Sequence, residues 1–126
     1  MTPAMIPAIL AGGSAECLIQ ELDPAHWVQL WPGFEVYSLW DDTPQGMAIG
    51  LFRCAKGVGS QRHRHDCNQF LYCLAGGYFY PDTGLRIQPG CFYMNPRGHA
   101  HGPAVALEDG TLMLEIYDGP ATPLPA

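Results

Sequence analysis

Two histidines one residue apart, His63 and His65, are the residues in this chain whose type and spacing first suggest chemistry. An apolar run, residues 70–74, follows them closely. Successive side chains of a β-strand point to opposite faces, so a His-x-His pair on a strand presents both imidazoles on one face. The same parity places Gln69 on that face. One metal ion can bridge two imidazoles held in this way. We therefore predict that the side chains of these residues point into the space that the sheet encloses.

A second pair, His99 and His101, follows Pro96 and Gly98, so the two pairs contain four of the five histidines. A lone histidine near a turn is more often a polar surface residue. Two such pairs beside glycines and apolar strands instead favour a single metal site assembled from two distant strands. Imidazole is the commonest metal ligand in proteins and suits Fe(II), Ni(II), Zn(II) and Mn(II) alike, so the residues leave the metal open.

The length and the composition indicate one small β domain. The chain has 126 residues, enough for a buried core but too few for a catalytic domain with a separate binding domain. Its 15 glycines and 12 prolines interrupt the sequence every few residues, which disfavours long helices and suits short strands with turns. We predict about eight to ten strands forming a small β-barrel or jelly roll.

The expected organisation has three parts. Residues 1–14 are predicted to form an N-terminal arm, residues 15–118 the β domain, and residues 119–126 a flexible proline-rich tail. The net charge of −6, without a basic stripe, argues against a nucleic-acid partner. No apolar run is long enough for a membrane span, and the N-terminus is a poor signal peptide, so we predict a cytoplasmic protein without a membrane partner.

The two histidine segments together resemble the cupin family. The spacing of Gly57, His63, His65, Gln69 and Gly76 is that of the first cupin motif, with Gln69 where the family usually has a glutamate. The spacing of Gly90, Pro96, Gly98 and His101 is that of the second motif. The resemblance implies an all-β, single-domain cupin, that is, an RmlC-like jelly-roll β-barrel.

The resemblance also implies which residues bind the metal. It assigns ligand roles to His63, His65 and His101, and Gln69 occupies the position of the fourth ligand. His99 has no ligand role in the motif, and it is open whether it supports a ligand, replaces one or moves protons. A neutral Gln69 leaves the charge of a divalent ion uncompensated, which favours an anionic, bidentate substrate such as an enolate.

A less specific likeness extends to the region before the motifs. Residues 31–33, 39–40 and 51–53 are similar to those of single-domain cupins related to acetylacetone-cleaving and dihydroxyacetophenone-cleaving dioxygenases, and of the cupin domain of zinc-binding anti-sigma factors. The resemblance implies an Fe(II)-dependent dioxygenase that takes O2 and a small enolisable or phenolic carbonyl compound. The alternatives are a redox-neutral cyclase, isomerase or lyase of the polyketide-cyclase type, and a non-catalytic metal-binding sensor or binding module.

Two residues are candidates for acid–base catalysis. His99 adjoins the ligand His101, and Glu115 lies within an apolar strand that covers residues 111–117. Glu115 is a candidate if its side chain faces the interior, although the pattern is equally compatible with an outward position. Exposed β-edges and many aromatic residues lead us to predict a homodimer.

Overall fold

The computed structural model describes residues 21–42 and 46–126 of the chain. Within these ranges it contains one short 3-10 helix, Pro24–His26, and twelve β-strands. The strands are β1 (Val28–Trp31), β2 (Phe34–Asp42), β3 (Met47–Cys54), β4 (Gly59–Ser60), β5 (His63–Arg64), β6 (Gln69–Ala75), β7 (Tyr78–Tyr80), β8 (Leu85–Ile87), β9 (Phe92–Asn95), β10 (Ala104–Ala106), β11 (Thr111–Tyr117) and β12 (Leu124–Pro125). The all-β prediction is confirmed.

Two larger sheets enclose the core. One has six strands in the order β1-β2-β3-β11-β6-β9, the other has four in the order β4-β10-β7-β8, and β12 pairs with β5 in a small third sheet. The pairings are antiparallel. Both larger sheets contribute to one buried cluster, which contains Phe34, Phe52, Leu71, Cys73 and Met113 from the first and Tyr78, Tyr80, Ile87, Ala104 and Ala106 from the second. Side chains from the two sheets therefore meet in one core.

The registers of β6 and β11 decide which side chains face the interior. Leu71 is buried and lies opposite Glu115, and Gln69 is buried opposite Tyr117. Opposite residues of an antiparallel pair share a face. Glu115 and Tyr117 therefore face the interior together with Gln69, which resolves the open orientation of Glu115.

The outer face of the six-stranded sheet is covered near β2 and β3. Tyr37 is only 1% exposed, because Trp27 packs edge-on against its ring at 5.3 Å and the backbone N–H of Asp23 donates to its hydroxyl. Leu51, opposite Tyr37 in the register, is buried as well. This cover explains why both faces of β3 are apolar in the sequence.

The motif glycines occupy turns that side chains disfavour. Gly57, Gly76, Gly90 and Gly98 all have φ between 74° and 88°. At Gly76 a Cβ would also lie 2.6 Å from the Cα of Thr111, so the turn after β6 needs glycine for space as well as for φ. These glycines end and begin the strands that bring the two histidine segments together.

The structure tests the predicted C-terminal segment but not the predicted N-terminal one. The predicted arm over residues 1–14 lies outside the described residues, as does the predicted start of the domain at residue 15. Residues 119–126 were predicted to be a flexible tail; their mobility stays a prediction, but the structure gives them a defined path, because β12 pairs with β5. In the described ranges, no helix has the length and apolar character needed to cross a membrane.

Candidate metal centre and its cavity

An antiparallel backbone bridge joins the two histidine segments. The N–H of His63 donates to the carbonyl of His101 at 2.9 Å, and the N–H of His101 donates back at 2.8 Å. His65 directly follows β5, two residues from His63, so its side chain points the same way. Residues far apart in the sequence are thus fixed side by side through the main chain.

The three imidazoles converge on one point. The Nε2 atom of His63 lies 3.0 Å from Nε2 of His65 and 3.1 Å from Nε2 of His101. The ligand atoms of all three residues lie within 4.8 Å of one another. Nitrogens that bind one ion at about 2.1 Å lie roughly 3 Å apart, so the observed separations suit a shared metal ion.

The hydrogen bonds of the Nδ1 atoms fix the tautomers. Nδ1 of His63 lies 2.6 Å from the carbonyl oxygen of Gln61, and Nδ1 of His65 lies 2.9 Å from that of Ala121. A carbonyl oxygen only accepts, so in both rings Nδ1 holds the proton and Nε2 presents a bare lone pair. Two such lone pairs at 3.0 Å repel each other unless a cation lies between them. The donor set therefore fits a metal ion.

His101 is oriented by a tyrosine. Its Nδ1 lies 2.8 Å from the hydroxyl of Tyr93, and their rings stack with an interplanar angle of 12°. When Nδ1–H donates to this hydroxyl, Nε2 of His101 is free to bind a metal, as in the other two rings. Tyr93 is thus a positioning residue for the second motif.

Burial keeps His65 and His101 neutral. It lowers the pKa of His65, with a smaller contribution from the neighbouring His63, to about 4. It lowers the pKa of His101 to about 3, with added effects of the other histidines. At neutral pH both rings are in the unprotonated form that metal binding requires.

Gln69 brings an unsatisfied oxygen to the same region. The hydroxyl of Tyr117 donates to Oε2 of Glu115 at 3.0 Å, so it accepts from Nε2 of Gln69 at 2.9 Å. This orients the amide and leaves Oε1 of Gln69 buried without a hydrogen-bond partner. A buried acceptor without a donor is costly, and a bound cation would satisfy it. The observation fits the predicted fourth ligand position.

The candidate ligands and Glu115 line one cavity of about 870 Å³. Most of its remaining wall is apolar or aromatic, formed by Leu30, Trp31, Phe34, Phe52, Leu71, Tyr78 and Tyr80 of the two large sheets and by Pro123, Leu124 and Pro125 near the end of the sequence. A mostly apolar cavity with a few convergent polar groups is typical of a site for a small molecule.

Glu115 is the acidic residue of the cavity lining. Its burial raises the pKa from 4.5 to about 7, although the hydrogen bond from Tyr117 opposes this increase. A carboxyl group with a pKa near neutrality can both accept and return a proton at physiological pH. Glu115 therefore has the location and the acidity of an acid–base group.

His99 lies away from this cavity. It is exposed and does not line the cavity; its Nδ1 lies 2.9 Å from Oδ1 of Asn95. Asn95 in turn donates to the backbone carbonyl of His99. This pair stabilises the turn before His101, which fits a structural role. A catalytic role for His99 stays a prediction that its position does not favour.

Three contributors to the site were not predicted from the sequence. They are Tyr93, which orients His101, Tyr117, which links Gln69 to Glu115, and the carbonyl of Ala121. Tyr117 had a detectable signal, because it lies two residues after Glu115 and so shares its face. A main-chain carbonyl has no sequence signal at all.

Solved structures with similar folds include enzymes of different activities. An acetylacetone dioxygenase from Acinetobacter johnsonii matches with a TM-score of 0.69 at 13% identity, covering 82% of this chain and 74% of that one. KdgF from Halomonas sp. matches with a TM-score of 0.68 at 22% identity, covering 80% and 94%. The polyketide cyclase RemF from Streptomyces resistomycificus matches with a TM-score of 0.60 at 18% identity, covering 86% of each chain. At these identities the likeness shows the fold.

A family model identifies the chain more directly. No curated protein matches the sequence, but the model described as the ChrR cupin-like domain matches residues 15–120. ChrR itself is an anti-sigma protein. The match covers most of the chain and both histidine motifs. The chain therefore belongs to the ChrR cupin-like domain family of the cupin superfamily.

Proposed function

We propose that this protein is a mononuclear metalloenzyme that binds a small enolisable or phenolic carbonyl compound as its bidentate anion. The proposed ligands of the divalent ion are His63, His65, His101 and Gln69. The observation that supports this most strongly is the meeting of three imidazoles and the unpartnered oxygen of Gln69 in a cavity that also contains Glu115.

The charge of the ligand set supports an anionic substrate. Three imidazoles and an amide are all neutral, so a divalent ion held by them keeps its full formal charge of about +2. When bound, such an ion polarises a carbonyl group and stabilises the conjugate anion of the substrate, and Fe(II) also reacts with O2. A β-diketone or a hydroxyaryl ketone offers two oxygens for this purpose.

The residues of the cavity supply the proton transfer. Glu115, whose pKa is about 7, accepts the acidic proton of the substrate. The Tyr117 hydroxyl donates to Oε2 of Glu115 and so fixes the orientation of the carboxylate. The mostly apolar walls lower the local dielectric and so strengthen these electrostatic interactions.

The first candidate reaction is Fe(II)-dependent oxidative cleavage of a carbon–carbon bond. O2 is the oxidant, and its atoms enter the carbonyl products. The neutral ligand set supports this candidate because it favours an electron-rich anionic substrate over a neutral one. The family resemblance to diketone-cleaving cupins also motivates it.

The second candidate is a redox-neutral cyclisation, isomerisation or elimination. A specific observation favours it, namely a carboxyl group with a pKa of about 7 that can remove a proton at one carbon and return it at another. Zn(II) would serve this reaction as well as Fe(II), since no electron is transferred.

One experiment separates these candidates. The protein is purified without oxygen, its metal content is determined, and O2 uptake is measured with β-diketones and hydroxyaryl ketones. Bound iron with substrate-dependent O2 uptake, both lost in His63→Ala and His101→Ala, supports the dioxygenase. Stoichiometric zinc with substrate turnover but no O2 uptake supports the redox-neutral enzyme.

Two further outcomes contradict the proposal. If the protein binds a metal but shows neither turnover nor a spectral response to diketones, it is a non-catalytic metal-binding module. If no metal binds to the wild-type protein, the histidine cluster is not a metal site. His26→Ala is the control variant, because it removes an exposed histidine that lies outside the cavity lining.

A further inference from the structure

The residues after β11 run alongside the segment that contains the first two ligands. Asn68 donates through its backbone N–H to Oδ1 of Asp118 at 2.8 Å, and the thiol of Cys67 donates to the carbonyl of Pro120 at 3.3 Å. The contacts continue toward the other end of the ligand segment, where the C-terminal residues meet Arg64 and His63. We call residues 119–126 the C-terminal strap.

The far half of the strap is held by β-pairing. Leu124 lies opposite Arg64 and Pro125 opposite His63 in the β12–β5 register. The guanidinium of Arg64 donates through Nε to the carbonyl of Pro125 at 3.0 Å. The strap therefore follows the ligand segment in antiparallel direction along its whole length.

The strap contacts His65 at the atom that decides its tautomer. The carbonyl of Ala121, 2.9 Å from Nδ1, is the hydrogen-bond partner found for that nitrogen among the described residues. A ring that can turn or change tautomer would present Nε2 to the metal for only part of the time. An outer partner of this kind typically contributes about 10-fold to 100-fold in metal affinity.

We propose that the C-terminal strap is a positioning element of the metal site, which acts through the Ala121 carbonyl to hold His65 in the metal-binding tautomer and orientation. The inference rests on the proposed metal site, but not on any proposed reaction. Gly46 and Gly119 allow the strap to lie this close. A Cβ at Gly46 would lie 2.6 Å from the nitrogen of Pro120, and a Cβ at Gly119 would lie 2.8 Å from the Cβ of Cys67.

Co(II) titration of shortened chains tests the inference without a substrate. One variant stops after Asp118 and lacks the whole strap. The other stops after Thr122, which keeps the Ala121 carbonyl and removes β12. Each is titrated with Co(II) in competition with a chromophoric chelator, and the visible absorption bands of the bound Co(II) are recorded.

We expect the chain that stops after Asp118 to lose about 10-fold to 100-fold in Co(II) affinity and to show shifted absorption bands. The chain that stops after Thr122 should keep the wild-type bands and an affinity within a few-fold of wild type. A role of the strap in stability alone would lower the unfolding temperature without moving the bands.

A point variant covers the case in which the shorter chain does not fold. Gly119→Val keeps every backbone group but pushes the strap away from Cys67, so it should reproduce the affinity loss and the band shift. Unchanged affinity and bands in the variants that lose or displace Ala121 would overturn the inference. An equal loss in the chain that stops after Thr122 would also overturn it, because the Ala121 carbonyl would then not be the group responsible. If wild type itself binds no Co(II), the metal site fails and the inference fails with it.

Discussion

At the scale of single residues, Gln69 is the position where this chain departs from the usual cupin pattern. Its amide is oriented by Tyr117, and its buried oxygen has no hydrogen-bond donor. The departure is chemical rather than structural, since glutamine and glutamate have nearly the same shape. It changes the charge of the ligand set by one unit, and this difference can be measured.

We predict that Gln69→Glu keeps or increases metal affinity but weakens the binding of an anionic diketone by about 10-fold or more, because the added carboxylate offsets part of the charge of the ion. Diketone titrations of the Co(II)-loaded protein, followed by visible absorption, measure the effect. Gln88→Glu is the control, since Gln88 is exposed on a turn. Equal diketone affinity in wild type and Gln69→Glu would show that Gln69 does not set the charge of the site.

Glu115 is predicted to combine a catalytic benefit with a cost in stability. Replacing it with glutamine should lower turnover by about 10²-fold to 10⁴-fold, as expected for the loss of a general base. Turnover of the wild type should rise with pH through about 7, because the base must be deprotonated. The control is Glu108→Gln, which alters an exposed glutamate. If Glu115→Gln retains wild-type turnover and pH dependence, Glu115 is not the general base of the reaction.

The same carboxyl group should make stability depend on pH. Its pKa is about 7 in the folded protein and 4.5 ordinarily, so between these values the folded state retains a proton that the unfolded state loses. Stability should therefore fall as the pH rises through this window. Tyr117, Cys54 and Tyr78 surround the carboxyl group and have raised pKa values, so none of them adds a compensating charge.

Glu115→Gln should accordingly stabilise the fold by about 3 kcal/mol at pH 8 and by almost nothing at pH 4. Urea unfolding at the two pH values measures this difference. Equal effects at both values would mean that the carboxyl group is not buried in its charged form.

At the scale of elements, the sequence predicts most of the longer strands and the two ligand segments. It does not predict which side chains of β11 face the interior. The glycine and histidine spacings identify the two ligand segments, since these residues have local requirements, and the apolar run over residues 70–74 lies within β6. In β11, Leu112, Leu114 and Ile116 form one apolar set, and Met113 lies in the opposite set. Both faces look like core, so only pairing with β6 shows that Glu115 faces the cavity.

The strand β12 cannot be predicted from its own residues, for a different reason. Its residues, Leu124 and Pro125, have no strand signal, because proline lacks a backbone donor. The strand exists because β5 provides a partner. Such structure depends on contacts with residues far away in the sequence, and the composition of the strap alone suggests a tail.

The side chain of Leu124 should limit the size of the substrate. It lines the cavity, so Leu124→Ala should enlarge the cavity and improve the binding of a bulky aryl diketone relative to acetylacetone by about 10-fold. Competition between the two ligands in the Co(II)-loaded protein gives this ratio. Leu85→Ala serves as the control, since Leu85 lies on β8 and is 51% exposed. An unchanged ratio would place Leu124 outside the substrate contact.

At the scale of the whole molecule, the outer face of β6 and β9 is an uncovered apolar surface in the described part of the chain. Phe92 is 66% exposed and stacks on Phe70, and Tyr72, Leu74 and Met94 are also exposed. β9 is moreover the edge strand of the six-stranded sheet. These features motivate the homodimer prediction, which stays a prediction.

We predict that Phe92→Glu shifts the protein from dimer to monomer in sedimentation velocity at micromolar concentration, because a charge in the centre of an apolar interface is strongly unfavourable. Leu85→Glu, on the other sheet, should leave the sedimentation coefficient unchanged. A wild-type protein that sediments as a monomer, or a Phe92→Glu variant that stays dimeric, would contradict this role of the surface.

The backbone bridge between His63 and His101 also bears on how the molecule folds. It joins residues 38 positions apart, so it closes a long loop that contains β6 to β9. Closing such a loop costs chain entropy before any contact compensates for it. A metal ion held by both ends acts as a cross-link that favours the closed loop, so the temperature of unfolding should rise as the free metal concentration exceeds the dissociation constant. Metal binding would thus report that the two histidine segments are paired, in addition to preparing the cavity for chemistry.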